Sequence, residues 1–151
     1  MSPTIPACNG RWLAEDFTFR FREPHRGEIV VFHVRGQLGG PIVPDPSARD
    51  LNLGKRVIGI PGDSVVGRDG RVYVNGAKAD DIPTDPFPLT RLGVEEYFVL
   101  GDNRSFSQDS RAFGPVPRDA IIGRVVLNYW PLRRFGVLGY DKDLVPPGDA
   151  C

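Results

Sequence analysis

The chain has 151 residues, enough for one domain, and 40% of them are hydrophobic, enough to bury a core. Nineteen basic residues balance nineteen acidic ones with no long block of one sign, which excludes electrostatic capture by nucleic acid or an anionic membrane surface as an organising function. Eighteen glycines and fifteen prolines punctuate short apolar runs, so the fold class expected is all-β, with long irregular loops and little helix.

Taken in chain order, residues 28–34 (Glu-Ile-Val-Val-Phe-His-Val) read as the first strand. Residues 36–54, rich in Gly, Pro and Asp, read as a long loop. Residues 55–60 form the next strand, and here a lysine, Lys55, opens an otherwise apolar run that ends in the turn Pro61, Gly62. Alternation puts Lys55, Val57 and Gly59 on one face. An amine with such neighbours can be held neutral by desolvation and take a proton from a hydroxyl. From this segment alone, an edge strand with its lysine in water is the commoner arrangement, since lysine is rarely buried.

Residues 64–66 and 71–74 read as strands, the second bracketed by the turn dipeptides Asp69-Gly70 and Asn75-Gly76. Its alternation, Arg71-Val72-Tyr73-Val74, implies one buried and one exposed face. Residues 77–94 read as irregular, with Pro83, Pro86 and Pro88 breaking any regular element. The strand at 96–100 then runs into a loop, Gly101 to Arg111, dense in hydroxyls, carboxylates and guanidinium groups. Alone, that loop reads as a surface turn whose short polar side chains bond the local backbone. A last strand is expected over 122–130, and the tail 140–151, with Pro146, Pro147 and Gly148, is expected to be frayed, so the domain is placed at 1–139.

No stretch approaches the apolar length needed to span a bilayer, and the N-terminus has no basic flank followed by an apolar run. The two cysteines, Cys8 and Cys151, have neither a disulfide-framework nor a metal-site spacing, and whether they pair is left open. His25 lies in a turn, and His33 reads as a satisfied strand residue rather than a base or ligand. Nothing in the sequence calls for a metal or cofactor.

In this order the segments resemble the type I signal peptidases, membrane-bound serine-lysine proteases. Met1-Ser2-Pro3-Thr4-Ile5 resembles the end of the family's Ser-Met-x-Pro-Thr-Leu motif, and residues 26–32 resemble its Arg-Gly-Asp-Ile-Val-Val-Phe strand. Lys55 to Asp63 resembles the segment that begins with the general base. Gly101 to Arg111 resembles Gly-Asp-Asn-Arg-x-x-Ser-x-Asp-Ser-Arg, and Tyr129-Trp130-Pro131 its closing strand. The resemblance implies a β-rich domain in which Lys55 is the general base and Ser107 orients its amine. Asp102, Arg104, Asp109 and Arg111 are expected to pair among themselves or with Arg56, making the loop rigid. Met1, Ile5, Val31 and Leu53 would line the shallow pockets that accept small residues of a signal peptide bound in extended form. Gly54 departs from the family, which carries an apolar residue there, and this bears on pocket depth and on the desolvation of Lys55.

The family's nucleophilic serine immediately precedes the methionine that here is Met1. Ser2 occupies the variable position two residues later, displaced by roughly 7 Å along an extended chain, and is therefore not expected to replace it. In the family the oxyanion is held by the nucleophile's own amide and a hydroxyl just upstream, so those groups too fall outside the sequence as given. The expectations are that the nucleophile and an N-terminal membrane anchor lie upstream of Met1, that the 151 residues alone are soluble and inert, and that the complete protein holds its catalytic domain on the extracytoplasmic side. Its partners would be the signal peptides of secretory preproteins. The alternatives are a peptide-binding β-domain derived from such an enzyme that catalyses nothing, and another serine-lysine processing peptidase.

Overall fold

A computed structural model of the chain describes residues 11–36, 42–48, 51–130 and 136–137. The described residues are mostly β-strand. They form twelve strands in two sheets, with one short helix. The larger sheet contains β1 (Arg11–Glu15), β2 (Ile29–Gly36), β3 (Ile42–Pro44), β4 (Leu51–Gly59), β9 (Glu96–Leu100), β10 (Val116–Pro117), β11 (Ile121–Trp130) and β12 (Gly136–Val137). Its main path runs β1-β11-β2-β4-β9-β10, with β3 beside β2 and β12 beside β11. The smaller sheet is β7-β6-β5-β8, from β5 (Ser64–Arg68), β6 (Arg71–Val74), β7 (Ala77–Lys78) and β8 (Phe87–Arg91).

Both turn dipeptides close two-residue hairpins. Asp69, Gly70, Asn75 and Gly76 all have positive φ, the backbone that twists a tight hairpin the right way. In β6, Val72 and Val74 are buried and Arg71 and Tyr73 are not, as alternation requires. The expected loop at 36–54 instead contains β3 and the first half of β4, because Leu51 and Leu53 bring apolar side chains opposite Val34 and Phe32 of β2. The stretch 77–94 likewise contains β7 and β8. Pro88 does not break β8, because this strand lies on the edge of its sheet and the proline falls at a register shift between Val65 and Gly67 of β5. Phe87 of β8 stacks on Phe98, and Gly67 leaves room for that ring, since a Cβ there would lie 2.4 Å from it.

β4 and β9 are clamped on both faces. Tyr97, Val99 and Val57 enter one core with Val30, Phe32 and Val34 of β2. Phe98, Leu100 and Ile58 enter a second core with Val65, Val72 and Val74 of the smaller sheet. A strand buried on both sides is apolar without interruption, which is why β9 reads Tyr-Phe-Val-Leu. The expected Cys8–Cys151 question and the tail 140–151 lie outside the described residues.

Candidate functional site

Lys55 lies in the middle of β4, opposite Val30 of β2 in unbroken register, and so shares the face of Leu53 and Val57. Only 9% of it is exposed. Its neighbour across the other edge is the start of the polar loop: β9 ends at Leu100, opposite Arg56, and Gly101 to Arg111 then folds over the lysine. Within this loop a 3-10 turn (Arg104–Phe106) and the helix α1 (Ser110–Phe113) bring Ser107 back to the strand. Lys55 Nζ donates to Ser107 Oγ at 3.0 Å.

The face expected from simple alternation stops at Val57. A register shift between Val57 and Gly59 turns Gly59 to the opposite side, where a Cβ would meet Val65, Leu92 and Phe98. The apolar surroundings of Lys55 therefore come from Val30 of β2 and from Leu53 and Val57 of its own strand, not from Gly59.

Desolvation by this burial holds the Lys55 ammonium below the ordinary lysine range, and Arg111 pushes the same way. The carboxylates of Asp109 and Asp102 act against it but do not prevail. Each of those acids is bound to a guanidinium. Arg56 grips both oxygens of Asp102 at 2.9 Å and also donates to the Gly27 carbonyl, tying β4 to the loop and to the start of β2. Asp109 is fully buried; it accepts from Arg111 Nε at 2.8 Å and from the Gly101 amide at 3.0 Å, and it caps α1. Ser110 Oγ accepts from the Val99 amide, which docks α1 on β9.

Asp102 thus pairs with Arg56 of β4, and Asp109 with Arg111 inside the loop. Arg104 differs. Its guanidinium leaves the loop and reaches Asp80 Oδ2 at 2.5 Å and Thr84 Oγ1 at 2.6 Å, both in the segment between β7 and β8. That segment has no periodic pattern and few apolar residues, so the sequence offers no cue that it faces the loop.

Of the residues assigned to substrate pockets, Met1 and Ile5 lie outside the described residues, as does Ser2. Leu53 shares the Lys55 face. Val31 does not: it pairs with Gly54 and is buried with Ile29 and Val125 on the far side of the sheet. His33 Nδ1 lies 2.7 Å from Asn52 Oδ1 on the neighbouring strand. Among the described residues no helix is long and apolar enough to cross a membrane.

A buried lysine bonded to a serine, on an apolar strand face, is an arrangement suited to accepting a proton from a hydroxyl placed beside it. Comparison with known proteins gives the family. The family model described as "Signal peptidase, peptidase S26" matches residues 1–130. The chain is 40% identical over 144 residues to "Signal peptidase I" of Leptolyngbya laminosa, covering 92% of this chain and 68% of that protein. It is 38% identical over 148 residues to "Probable signal peptidase I-2" of Synechocystis, covering 95% of this chain and 65% of that protein. The chain thus spans about two thirds of the length of these relatives. Among solved structures, a signal peptidase I from Enterococcus faecalis matches with a TM-score of 0.53 and 28% identity, over 68% of this chain and 97% of that one.

Proposed function

The chain belongs to the signal peptidase family, peptidase S26, and on that premise we propose that it carries the general base of a serine endopeptidase that removes signal peptides from secreted preproteins. The observation that supports this most directly is the 3.0 Å hydrogen bond between the buried Lys55 Nζ and Ser107 Oγ. A neutral Lys55 takes the proton of the nucleophilic serine as that oxygen attacks the scissile carbonyl. The resulting ammonium then returns the proton to the leaving amine, and the acyl-enzyme is released by water that Lys55 deprotonates in turn. Ser107 holds the amine in line. Arg56, Asp102, Asp109 and Arg111 keep the loop fixed against β4, with Arg104 tying it to the smaller sheet.

The nucleophile belongs to the serine that precedes Met1 in the family motif, on a membrane-anchored segment that sets the domain on the extracytoplasmic side. Leu53 lines a subsite on the Lys55 face, and the partner is the extended C-terminal end of a signal peptide.

The test is preprotein cleavage by protein expressed with the coding sequence upstream of Met1. Lys55→Arg is expected to abolish cleavage, because arginine cannot give up its proton in a protein. Cleavage by the parent is expected to rise with pH through the lowered titration of Lys55. Turnover that persists in Lys55→Arg removes Lys55 from the mechanism, and a codon before Met1 that encodes no serine overturns the reading in favour of a peptide-binding domain without catalysis.

A further inference from the structure

Arg104 is the most deeply buried cation of the loop, its side chain 2% exposed, and its side-chain partners lie outside the loop. Its Nε donates to the Gly101 carbonyl at 3.0 Å, while Nη1 and Nη2 reach Thr84 and Asp80. Gly101 is the residue against which Ser107 is packed: the space where its Cβ would lie is filled by Ser107 Oγ and Cβ, with Lys55 Nζ just beyond. One guanidinium therefore connects the segment between β7 and β8 to the peptide that sets the position of Ser107.

The acceptors at the far end are themselves fixed. Asp80 Oδ1 accepts from the Ile82 amide, and Thr84, 6% exposed, donates to the Ile82 carbonyl while its own amide bonds the Gly70 carbonyl in the β5–β6 hairpin. Arg111 Nη2 donates to the Arg104 carbonyl at 2.6 Å, so the arginine is held by backbone and side chain alike. Burying a guanidinium is costly unless its donors are met with good geometry, and here a threonine hydroxyl, a carboxylate and a carbonyl meet them. A surface ion pair would need none of this.

We infer that Asp80 and Thr84 are positioning residues for the dyad: through Arg104 and the Gly101 carbonyl they make the smaller sheet the far anchor of the Lys55–Ser107 hydrogen bond. The inference rests on Lys55 being the base of the proposed reaction. It assigns to the smaller sheet a part in catalysis without any contact with substrate. The charged groups that act on Lys55 are Asp109, Arg111 and Asp102, the last of these bonded to Arg56. Loosening Arg104 would release the Gly101 carbonyl it holds and so open the Gly101 side of the amine to water.

The experiment uses the full protein with its upstream segment and two readouts. The first is cleavage kinetics of a preprotein against pH; the second is the pH dependence of amine labelling at Lys55, read by mass spectrometry of its peptide, which needs no turnover. Asp80→Asn and Thr84→Val are expected to lower kcat about tenfold with KM little changed, and to move both the acid limb of the rate profile and the labelling curve to higher pH. Thr84→Ser, which keeps the hydroxyl, is expected to restore both; this milder variant and Thr84→Val carry the test if Asp80→Asn does not fold. Variants that lose thermal stability yet keep the parent kcat and labelling curve overturn the inference, leaving Asp80 and Thr84 as fold contacts. A parent Lys55 that labels like an ordinary lysine instead overturns the base assignment itself, so the two failures are distinct.

Discussion

Gly101 is the residue on which the site's geometry turns. A Cβ at this position would lie 2.1 Å from Ser107 Oγ, 2.6 Å from Ser107 Cβ and 3.5 Å from Lys55 Nζ, and no rotation relieves a collision with a Cβ. Gly101→Ala is therefore expected to push Ser107 away from the lysine and to lower kcat by about a hundredfold, the cost of misplacing a catalytic contact by ~1 Å. Strain of this kind also costs about 1–3 kcal/mol, to be read by urea denaturation. A variant with parent kcat would mean that Ser107 is dispensable for orienting the amine. Lys55 and Ser107 were singled out through the resemblance of their two segments, in that order, to a family's motifs; each segment alone reads as an exposed edge strand or a surface turn. Gly101 was visible only as a turn residue, since what it excludes is known only once Ser107 has folded back on it.

The loop from Gly101 to Gly114 behaves as one element, and its two acids differ in what their loss leaves behind. Asp109 is fully buried, caps α1, and compensates both the Gly101 amide and the Arg111 guanidinium, which is 14% exposed. Asp109→Ala is expected to cost about 3–5 kcal/mol, as for any buried ion pair broken by removing one partner. Arg56 is more exposed, 23%, and keeps its bond to the Gly27 carbonyl, so Asp102→Ala is expected to cost less, about 1–3 kcal/mol. Equal or reversed losses in chemical denaturation would contradict the order of burial. The strands at 71–74 and 96–100 were legible to the residue, because turn dipeptides and an unbroken apolar run mark their ends. β3 and β8 were not: three and five residues long, proline-containing and half exposed, they exist because a neighbouring strand offers a free edge. The Arg104–Asp80 pair was hidden for the same reason, since its geometry belongs to a contact between elements 24 residues apart.

At the scale of the molecule, β4 and β9 stand between two apolar cores, and this shared position is what allows a lysine to be buried at the edge of one of them. Charges elsewhere set the acid limb of stability. Burial pushes the Glu28 and Glu15 carboxyls up, but their bonds to Arg22 and Arg124, with the His25 and Thr18 amides, outweigh it and hold Glu28 below its usual range and Glu15 at about 2. The same balance, against Arg26, the Ile60 amide and Asn75, keeps Asp63 low. A carboxylate whose folded pKa lies below its unfolded value stabilises the fold above the unfolded pKa, and this contribution is lost as pH falls, here from about 4 toward about 2. Lys55 governs the other end with a less intuitive sign. Its folded pKa lies below that of the unfolded chain, about 10.4, so between the two values the unfolded state binds more protons and stability rises with pH. Below the lowered value both states carry the charge and the fold bears the full cost of burying it. Lys55→Met removes that cost, so at neutral and lower pH the variant is expected to be more stable than the parent. Its advantage should shrink as pH rises through the window in which the parent's folded lysine has lost its proton and the unfolded one has not. Urea denaturation at a series of pH values measures both curves, and a stability difference between Lys55→Met and parent that is flat in pH would show that the buried amine titrates like any exposed lysine.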